Sequence, residues 1–182
     1  GGIEESKGFN IMSSVFSNHL TIAGTNFPIS IFWWMLFGVL GYFLLKHTQF
    51  GNWIFATGAS QESAKLMGIP VQKVKISLFM LTAFCSWFIA VTQVTTFGGA
   101  DVLRGEQKEF IAIIAVVIGG TLLTGGYGSI IGAMIGALIF GIVKQGIIFA
   151  GVDADWFQVF MGVMLVSAVL VNGAFRKKYA QG

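Results

Sequence analysis

The chain has 182 residues, of which 55% are hydrophobic and only 10% are charged, and its formal net charge at pH 7 is +3. A soluble domain carries about 25% charged residues, so this composition excludes an ordinary soluble protein. The small positive charge does not indicate nucleic-acid binding, because Lys and Arg lie beside apolar runs. Since the chain begins with Gly rather than Met, we expect it to be processed or to be a piece of a longer protein.

The first part of the chain divides into a polar segment and an apolar one. Residues 1–27 mix charged, polar and apolar side chains, which predicts an extracytoplasmic or interfacial segment. The apolar residues among positions 11–16 are typical of a helix that lies on the membrane surface. The first predicted span covers residues 29–45, close to the minimum of about 17 residues that crosses a bilayer. Lys46 and His47 mark its boundary.

Long runs without Asp, Glu, Lys or Arg occupy residues 76–100, 110–143 and 156–175. Runs of about 18 or more apolar residues without charge are typical of transmembrane helices. The apolar stretch at 110–149 is nearly twice as long as one crossing, so the chain has to turn back within it. The glycine-rich residues 124–129 supply turn chemistry there and predict two spans joined by a glycine hairpin.

The predicted fold class is an all-α membrane protein whose transmembrane region, residues 28–175, contains about five spans, at 29–45, 76–97, 110–123, 129–149 and 156–172. The basic tail, residues 176–182, places the C-terminus in the cytoplasm, and five spans then place the N-terminus outside. The Lys-bearing loop 46–75 falls inside, whereas the acidic segments 101–109 and 153–155 fall outside. Both ends and both kinds of loop agree with the positive-inside rule.

The loop between the first two spans contains the signals of a short helix. Ser60 is suited to cap its N-terminus, and Gly68 followed by Pro70 is suited to end it. A short amphipathic helix held between two spans offers a surface that a partner outside the membrane can bind. On the fourth span, Gly128, Gly132 and Gly136 recur at every fourth position, which favours close helix packing over a ligand contact.

Few residues of the apolar regions can carry chemistry. Lys144 is the one charge within a predicted span, and it either snorkels to the outer interface or contacts a solute. Thr92, Gln93 and Gln145 either hydrogen-bond a polyol in a central pathway or make ordinary interhelical hydrogen bonds. The sequence has no metal-ligand spacing and no P-loop, so we predict no metal site, no catalytic residue and no ATP hydrolysis on this chain.

Several short motifs resemble the permeases of ribose- and galactoside-type ABC sugar importers. They are TQFG at 48–51, ATG at 56–58, ESAKLMGI at 62–69, IGGT at 118–121, GGYGS at 125–129 and GAMIGA at 132–137. They occur in order and at matching spacing over residues 27–172, and they resemble the C-terminal half of that family.

The resemblance implies a subunit that forms the pathway for a sugar or related small polar solute and works by ATP-driven alternating access. It implies a bacterial inner (plasma) membrane location, a second permease subunit (identical or different), an extracytoplasmic solute-binding protein and a cytoplasmic ATP-binding cassette subunit that holds ATP and Mg. The coupling helix that docks into this ATPase would comprise Ser60, Gln61, Glu62, Ser63, Ala64, Lys65, Leu66, Met67 and Gly68.

Two further groups of residues are singled out. The hairpin, the packing face and the resembling motifs together give a structural set: Gly119, Gly120, Thr121, Gly125, Gly126, Gly128, Gly132 and Gly136. The candidates for the substrate pathway are Thr92, Gln93, Lys144 and Gln145.

Three other classes of protein stay open. A secondary transporter binds its substrate at broken helices, and the glycine hairpin would be such a break, but no Asp or Glu lies within a predicted span to bind a coupling ion. A channel subunit is suggested by residues 124–128, which differ at one position from the potassium-filter sequence TVGYG, although their predicted inner location favours a hairpin. The third alternative is a structural membrane subunit without a pathway. Co-purification of an ATPase separates these classes from an importer.

Overall fold

The computed structural model describes residues 7–17, 19–22, 25–151, 156, 159–167 and 169–170, and most of this part is helical. The helices are α1 (Lys7–Phe16), α2 (Ser30–His47), α3 (Gln49–Ala59), α4 (Gln61–Leu66), α5 (Val71–Phe97), α6 (Lys108–Ile118) and α7 (Ile130–Phe149). A 3₁₀ turn lies at Val102–Gly105, and residues 159–167 and 169–170 are also helical. The strands β1 (His19–Ile22) and β2 (Thr25–Pro28) pair antiparallel, with His19 opposite Pro28.

Three helices of the described part are long and apolar enough to cross a membrane, namely α2, α5 and α7. They correspond to the first, second and fourth predicted spans. The helices are longer than the predicted spans, because α2 continues through Lys46 to His47 and α5 begins at Val71. Lys is a good helix former, so the first charge marks the membrane boundary rather than the end of the helix.

The third predicted span, 110–123, is wrong in its length. Helix α6 has 11 residues and ends at Ile118, so it extends about 16 Å, roughly half of the bilayer core. Gly120 has a φ of +85°, and its N–H donates to the carbonyl of Val117, while the N–H of Thr121 donates to that of Val116. These two bonds form a Schellman cap that ends α6. The fifth predicted span, 156–172, and the tail, 176–182, lie partly or wholly outside the described residues.

Two segments contain more regular structure than the short helix predicted in each of them. Residues 46–75 contain α3 as well as α4, because the Thr48 side chain accepts a hydrogen bond from the backbone N–H of Gly51 at 3.2 Å and so caps α3. The segment 1–27 contains α1, β1 and most of β2. Strands of four residues are too short to show an alternating pattern that the sequence analysis can detect.

The chain forms two compact units. Unit 1 comprises residues 1–40 and 72–106, and unit 2 comprises residues 41–71 and 107–182. In unit 1, aromatic side chains of α1, α2 and α5 pack against one another, mostly edge to face. In unit 2, α6 and α7 pack together around a buried cluster of Ile114, Ala115, Phe140 and Met161.

Candidate functional site

The short helix α4 is bounded by local signals at both ends. The Ser60 hydroxyl accepts a hydrogen bond from the backbone N–H of Ser63 at 3.3 Å, which caps the N-terminus. At the other end Gly68 has a φ of +78°, and its N–H donates to the Lys65 carbonyl at 3.0 Å. The N–H of Ile69 donates to the Ala64 carbonyl at 3.0 Å and completes a Schellman motif. The helix, its cap at Ser60 and its stop at Gly68 are thus as the sequence predicts.

The side chains of α4 divide into a buried and an exposed set. Ala64 is 0% exposed, so its side chain is not part of the surface of α4. At the C-terminal end Leu66 is 90% exposed and Met67 is 68% exposed. Glu62 and Lys65 are also exposed. We call Leu66 and Met67 the apolar tip of α4. The exposed surface of α4 thus contains this apolar tip together with the charged side chains of Glu62 and Lys65.

Helix α4 follows α3 without a linker, because Ser60 is both the C-cap of α3 and the N-cap of α4. The Ser60 N–H donates to the Ala56 carbonyl of α3 at 3.1 Å. At its own N-terminus, α3 is fixed to the last turn of α2, since the Thr48 hydroxyl donates to the Leu44 carbonyl at 2.6 Å. Gly51 also packs there, and a Cβ built on it would lie 2.8 Å from the Leu44 carbonyl oxygen. Within unit 2, α4 is therefore the end of a continuous arm that consists of the last turns of α2, helix α3 and α4 itself.

The C-terminal end of α3 contacts residues 119–129, which we call the α6–α7 connection. A Cβ built on Gly58 would lie 2.5 Å from the backbone nitrogen of Gly126, and one built on Gly125 would lie 2.7 Å from the carbonyl oxygen of Gly58. A Cβ on Gly126 would lie 3.0 Å from the Cα of Ala59. Real Cβ atoms are essentially never found within 3.0 Å of a non-bonded heavy atom, so these backbones touch only because no side chain intervenes.

The α6–α7 connection has its own hydrogen bonds. The N–H of Leu122 donates to the Tyr127 carbonyl at 3.1 Å, and the N–H of Gly125 donates to the Leu122 carbonyl at 3.0 Å. Gly125 and Gly126 have φ values of +86° and +80°, which favour glycine. The segment is a turn, as the sequence predicts, but it begins at Gly119 and not at residue 124.

Glycines also bring α6 and α7 together. Cβ atoms built on Gly119 and Gly132 would overlap the backbone of the facing helix, and one on Gly136 would overlap the Ala115 carbonyl. A Cβ on Gly128 would lie 2.9 Å from the Thr121 side chain. All members of the predicted structural set except Gly120 therefore take part in close contacts within unit 2. Gly120 has open space around it, and its positive φ serves the cap of α6.

The four pathway candidates are not brought together within one unit. Thr92 and Gln93 lie on α5 in unit 1, where they line a groove of about 340 Å³ with Trp33, Phe37 and Phe88. The Thr92 hydroxyl donates to the Phe88 carbonyl of its own helix at 2.9 Å. On α7 in unit 2, Lys144 is half-buried and Gln145 is exposed. The acidic partners expected for Lys144, at 153 and 155, lie outside the described residues.

The residues of α3 that contact the α6–α7 connection were not among the predicted site residues. Gly58 and Gly51 stand in the motifs ATG and TQFG, which were used only as signs of resemblance. Glycine within a helix costs about 1 kcal/mol relative to Ala, so the glycines of these motifs require a packing reason if the segment is helical. Within the described residues, no group of three or more His, Cys, Asp or Glu is placed to hold a metal ion.

Long apolar helices joined by a short capped helix define a multi-span membrane protein. Residues 1–169 match the family described as "Branched-chain amino acid transport system / permease component". The chain belongs to this family of permease components, and several of the relatives that it matches are named as permeases for ribose, fructose or xylose.

Three relatives illustrate the similarity. The ribose import permease of Escherichia coli K12 is 36% identical over 131 residues, covering 72% of this chain and 41% of the relative. The fructose import permease of Bifidobacterium longum is 34% identical over 136 residues, covering 75% and 40%. The ribose import permease of Bacillus subtilis is 33% identical over 176 residues, covering 90% and 54%. The chain thus spans about half the length of the curated relatives it matches or somewhat less. No solved structure matches the chain.

Proposed function

We propose that the chain is part of a permease subunit that imports a sugar or a related small polar solute by ATP-driven alternating access. A cytoplasmic ATP-binding cassette subunit would bind α4 and hold the ATP and Mg. A second permease subunit and an extracytoplasmic solute-binding protein would complete the importer. The relatives named as ribose and fructose import permeases support this solute class.

The observation that carries the proposal is the exposed apolar tip of α4. Leu66 and Met67 project from a short helix whose other exposed residues include Glu62 and Lys65. A segment with this charge lies outside the bilayer core, so lipid does not cover these two side chains. An exposed apolar patch surrounded by charged side chains is typical of a protein-binding surface. The excess of Lys around α4 supports a cytoplasmic side for this surface, with the N-terminus of the chain outside.

The test uses the full-length protein that contains this chain, extracted from bacteria in a mild detergent. We expect an ATP-binding cassette subunit to co-purify with the unaltered protein and to be lost from the Leu66→Glu variant, since a charge at the tip opposes burial in a protein cleft. The matched control is Leu103→Glu, because Leu103 is 70% exposed and lies in the loop predicted for the opposite side of the membrane.

The outcomes separate the classes of function. Loss of the ATPase in Leu66→Glu alone supports an importer in which α4 is the coupling helix. Equal capture by both variants contradicts the role of α4. Absence of any ATPase from the unaltered protein would favour a secondary transporter, for which the early stop of α6 supplies a discontinuous helix.

A further inference from the structure

Within unit 2, α3 and the α6–α7 connection meet backbone to backbone. Gly58 lies against Gly125 and Gly126, and Ala59 lies against Gly126. A contact between side chains can adjust by rotation about side-chain bonds, whereas a contact between backbones cannot adjust without moving a whole segment. A displacement of α3 at this point is therefore expected to move the α6–α7 connection directly.

Each side of this contact is tied to a functional element. On one side, Ser60 is both the C-cap of α3 and the N-cap of α4, so we expect a movement of α4 to carry the end of α3 with it. On the other side, the connection leads into α7 through Ser129, whose hydroxyl accepts a hydrogen bond from the N–H of Gly132 at 3.4 Å. The contact thus lies between the proposed ATPase-binding helix and a helix long enough to cross the membrane.

The α6–α7 pair is itself held by backbone contacts. A Cβ on Gly136 would lie 2.7 Å from the Gly119 nitrogen, and a Cβ on Gly119 would lie 2.7 Å from the Ala133 nitrogen. Helices packed this closely are expected to shift together and not to slide past each other. A force applied to the connection is therefore expected to move α6 and α7 as one body.

We propose that Gly58, Gly125 and Gly126 are positioning residues that transmit the movement of α4 to the α6–α7 pair, so that these elements move as one rigid body during transport. This inference rests on the proposed function, because it takes α4 to be the helix that the ATPase moves. The role proposed for these three glycines is mechanical.

The first test measures solute uptake per ATP hydrolysed by the complete importer in proteoliposomes. Ala is favoured over Gly in a helix, so a loss in Gly58→Ala has to come from the new Cβ against Gly126. We expect Gly58→Ala and Gly125→Ala to retain the ATPase and its hydrolysis and to lower the uptake per ATP by about tenfold, within the usual range of coupling effects.

Two control variants make the same Gly→Ala change at positions where the added Cβ contacts no other residue. Gly141→Ala adds a methyl group in helix α7 where a Cβ meets nothing within 4 Å, and it is the control for Gly58→Ala. Gly151 has a φ of +69° and open space, so Gly151→Ala reproduces the backbone strain of Gly125→Ala without its collision. We expect both controls to keep the uptake per ATP of the unaltered protein. Equal losses in the test and control variants would overturn the proposal.

The second test does not depend on the glycine variants. Spin labels at Asn52 on α3 and Ile135 on α7, both exposed, are attached as Asn52→Cys and Ile135→Cys after Cys85→Ser. We expect the same distance distribution without nucleotide and with trapped ATP, because the two helices belong to one moving body. A distance that changes with nucleotide would overturn the inference even if ATP-driven uptake is normal. If the unaltered protein captures no ATPase at all, the proposed function has failed instead.

Discussion

The two units are held together by different kinds of contact. In unit 1, Phe88 lies at a steep angle to three other rings, with centroid distances of 5.2 Å to Phe16, 5.0 Å to Trp33 and 4.8 Å to Phe37. In unit 2, the backbones of α6 and α7 meet directly at Gly119 and at Gly132. Aromatic rings can be repacked by small rotations, but a backbone has no such freedom. We therefore expect unit 1 to accept a change of side chain, whereas unit 2 cannot accept one at the glycines where its backbones touch.

This difference agrees with the mechanical role proposed for unit 2. Unit 2 contains α4 and the glycine contact, and a rigid unit is suited to carry the movement of a coupling helix over a distance. The groove of unit 1 is lined by large apolar side chains together with Thr92 and Gln93. Side chains of this kind can adjust their rotamers, so we expect unit 1 to respond gradually to substitution.

The strongest test of the comparison is Gly136→Val. The added side chain would collide with the Ala115 carbonyl and with the Gly119 nitrogen, neither of which can move without α6. We expect a loss of about 3 kcal/mol or more in the free energy of unfolding, at the upper end of the penalties for overpacking. The midpoint of thermal unfolding of the full-length protein in detergent measures it. Gly141→Val, on the same helix but in open space, should shift the midpoint far less, and an equal shift would contradict backbone packing at Gly136.

The corresponding change in unit 1 is Phe88→Leu. It keeps most of the apolar volume but removes the ring that three neighbours face. Aromatic pairs contribute about 0.5–1.5 kcal/mol each beyond their buried area, and repacking should recover part of this, so we expect a loss of about 2 kcal/mol. Phe79→Leu is the control, because Phe79 is exposed on the same helix and should cost less than about 0.5 kcal/mol. If Phe88→Leu destabilised the protein more than Gly136→Val does, the contrast between the units would be reversed.

The ends of α4 in unit 2 could be predicted from the sequence, because they are determined by residues close to them in the chain. Ser60 and Gly68 bound α4 because a cap and a positive-φ stop act within four or five residues. The long spans were predictable for a similar reason, since length and lack of charge suffice to identify them. The early end of α6 was missed because Gly119 and Gly120 lie inside an uncharged run, where a stop signal is easily read as helix packing.

The contacts between distant segments were not predictable in the same way. Gly58 is far from Gly125 and Gly126 along the chain, and no residue next to them in the sequence indicates that they are in contact. Helix α3 was missed because its cap, Thr48, lies next to the basic residues that had marked a membrane boundary. The pathway candidates stay predictions, since Thr92 and Gln93 fall in one unit and Lys144 and Gln145 in the other.

The smallest change in the free energy of unfolding is expected from replacing one buried threonine hydroxyl in each unit. Thr57 in unit 2 and Thr95 in unit 1 are both 7% exposed. Within the described part of the chain, the Thr57 hydroxyl has no hydrogen-bond partner, whereas the Thr95 hydroxyl lies 2.9 Å from the Val91 carbonyl oxygen and 3.0 Å from that of Thr92. A buried polar group without a partner is destabilising, and a bonded one contributes a modest net stabilisation.

Thr57→Val should therefore raise the free energy of unfolding by about 1 kcal/mol, and Thr95→Val should lower it by about the same amount or less. Thr and Val have similar helix propensities, so the backbone contributes little to either change. Thermal unfolding of the two full-length variants in the same detergent gives the sign directly. A loss of stability in Thr57→Val would mean that this hydroxyl has a partner in the complete protein. The end of α3 beside Gly58 would then be held by a polar bond as well as by backbone contact, and its rigidity would no longer rest on the glycines alone.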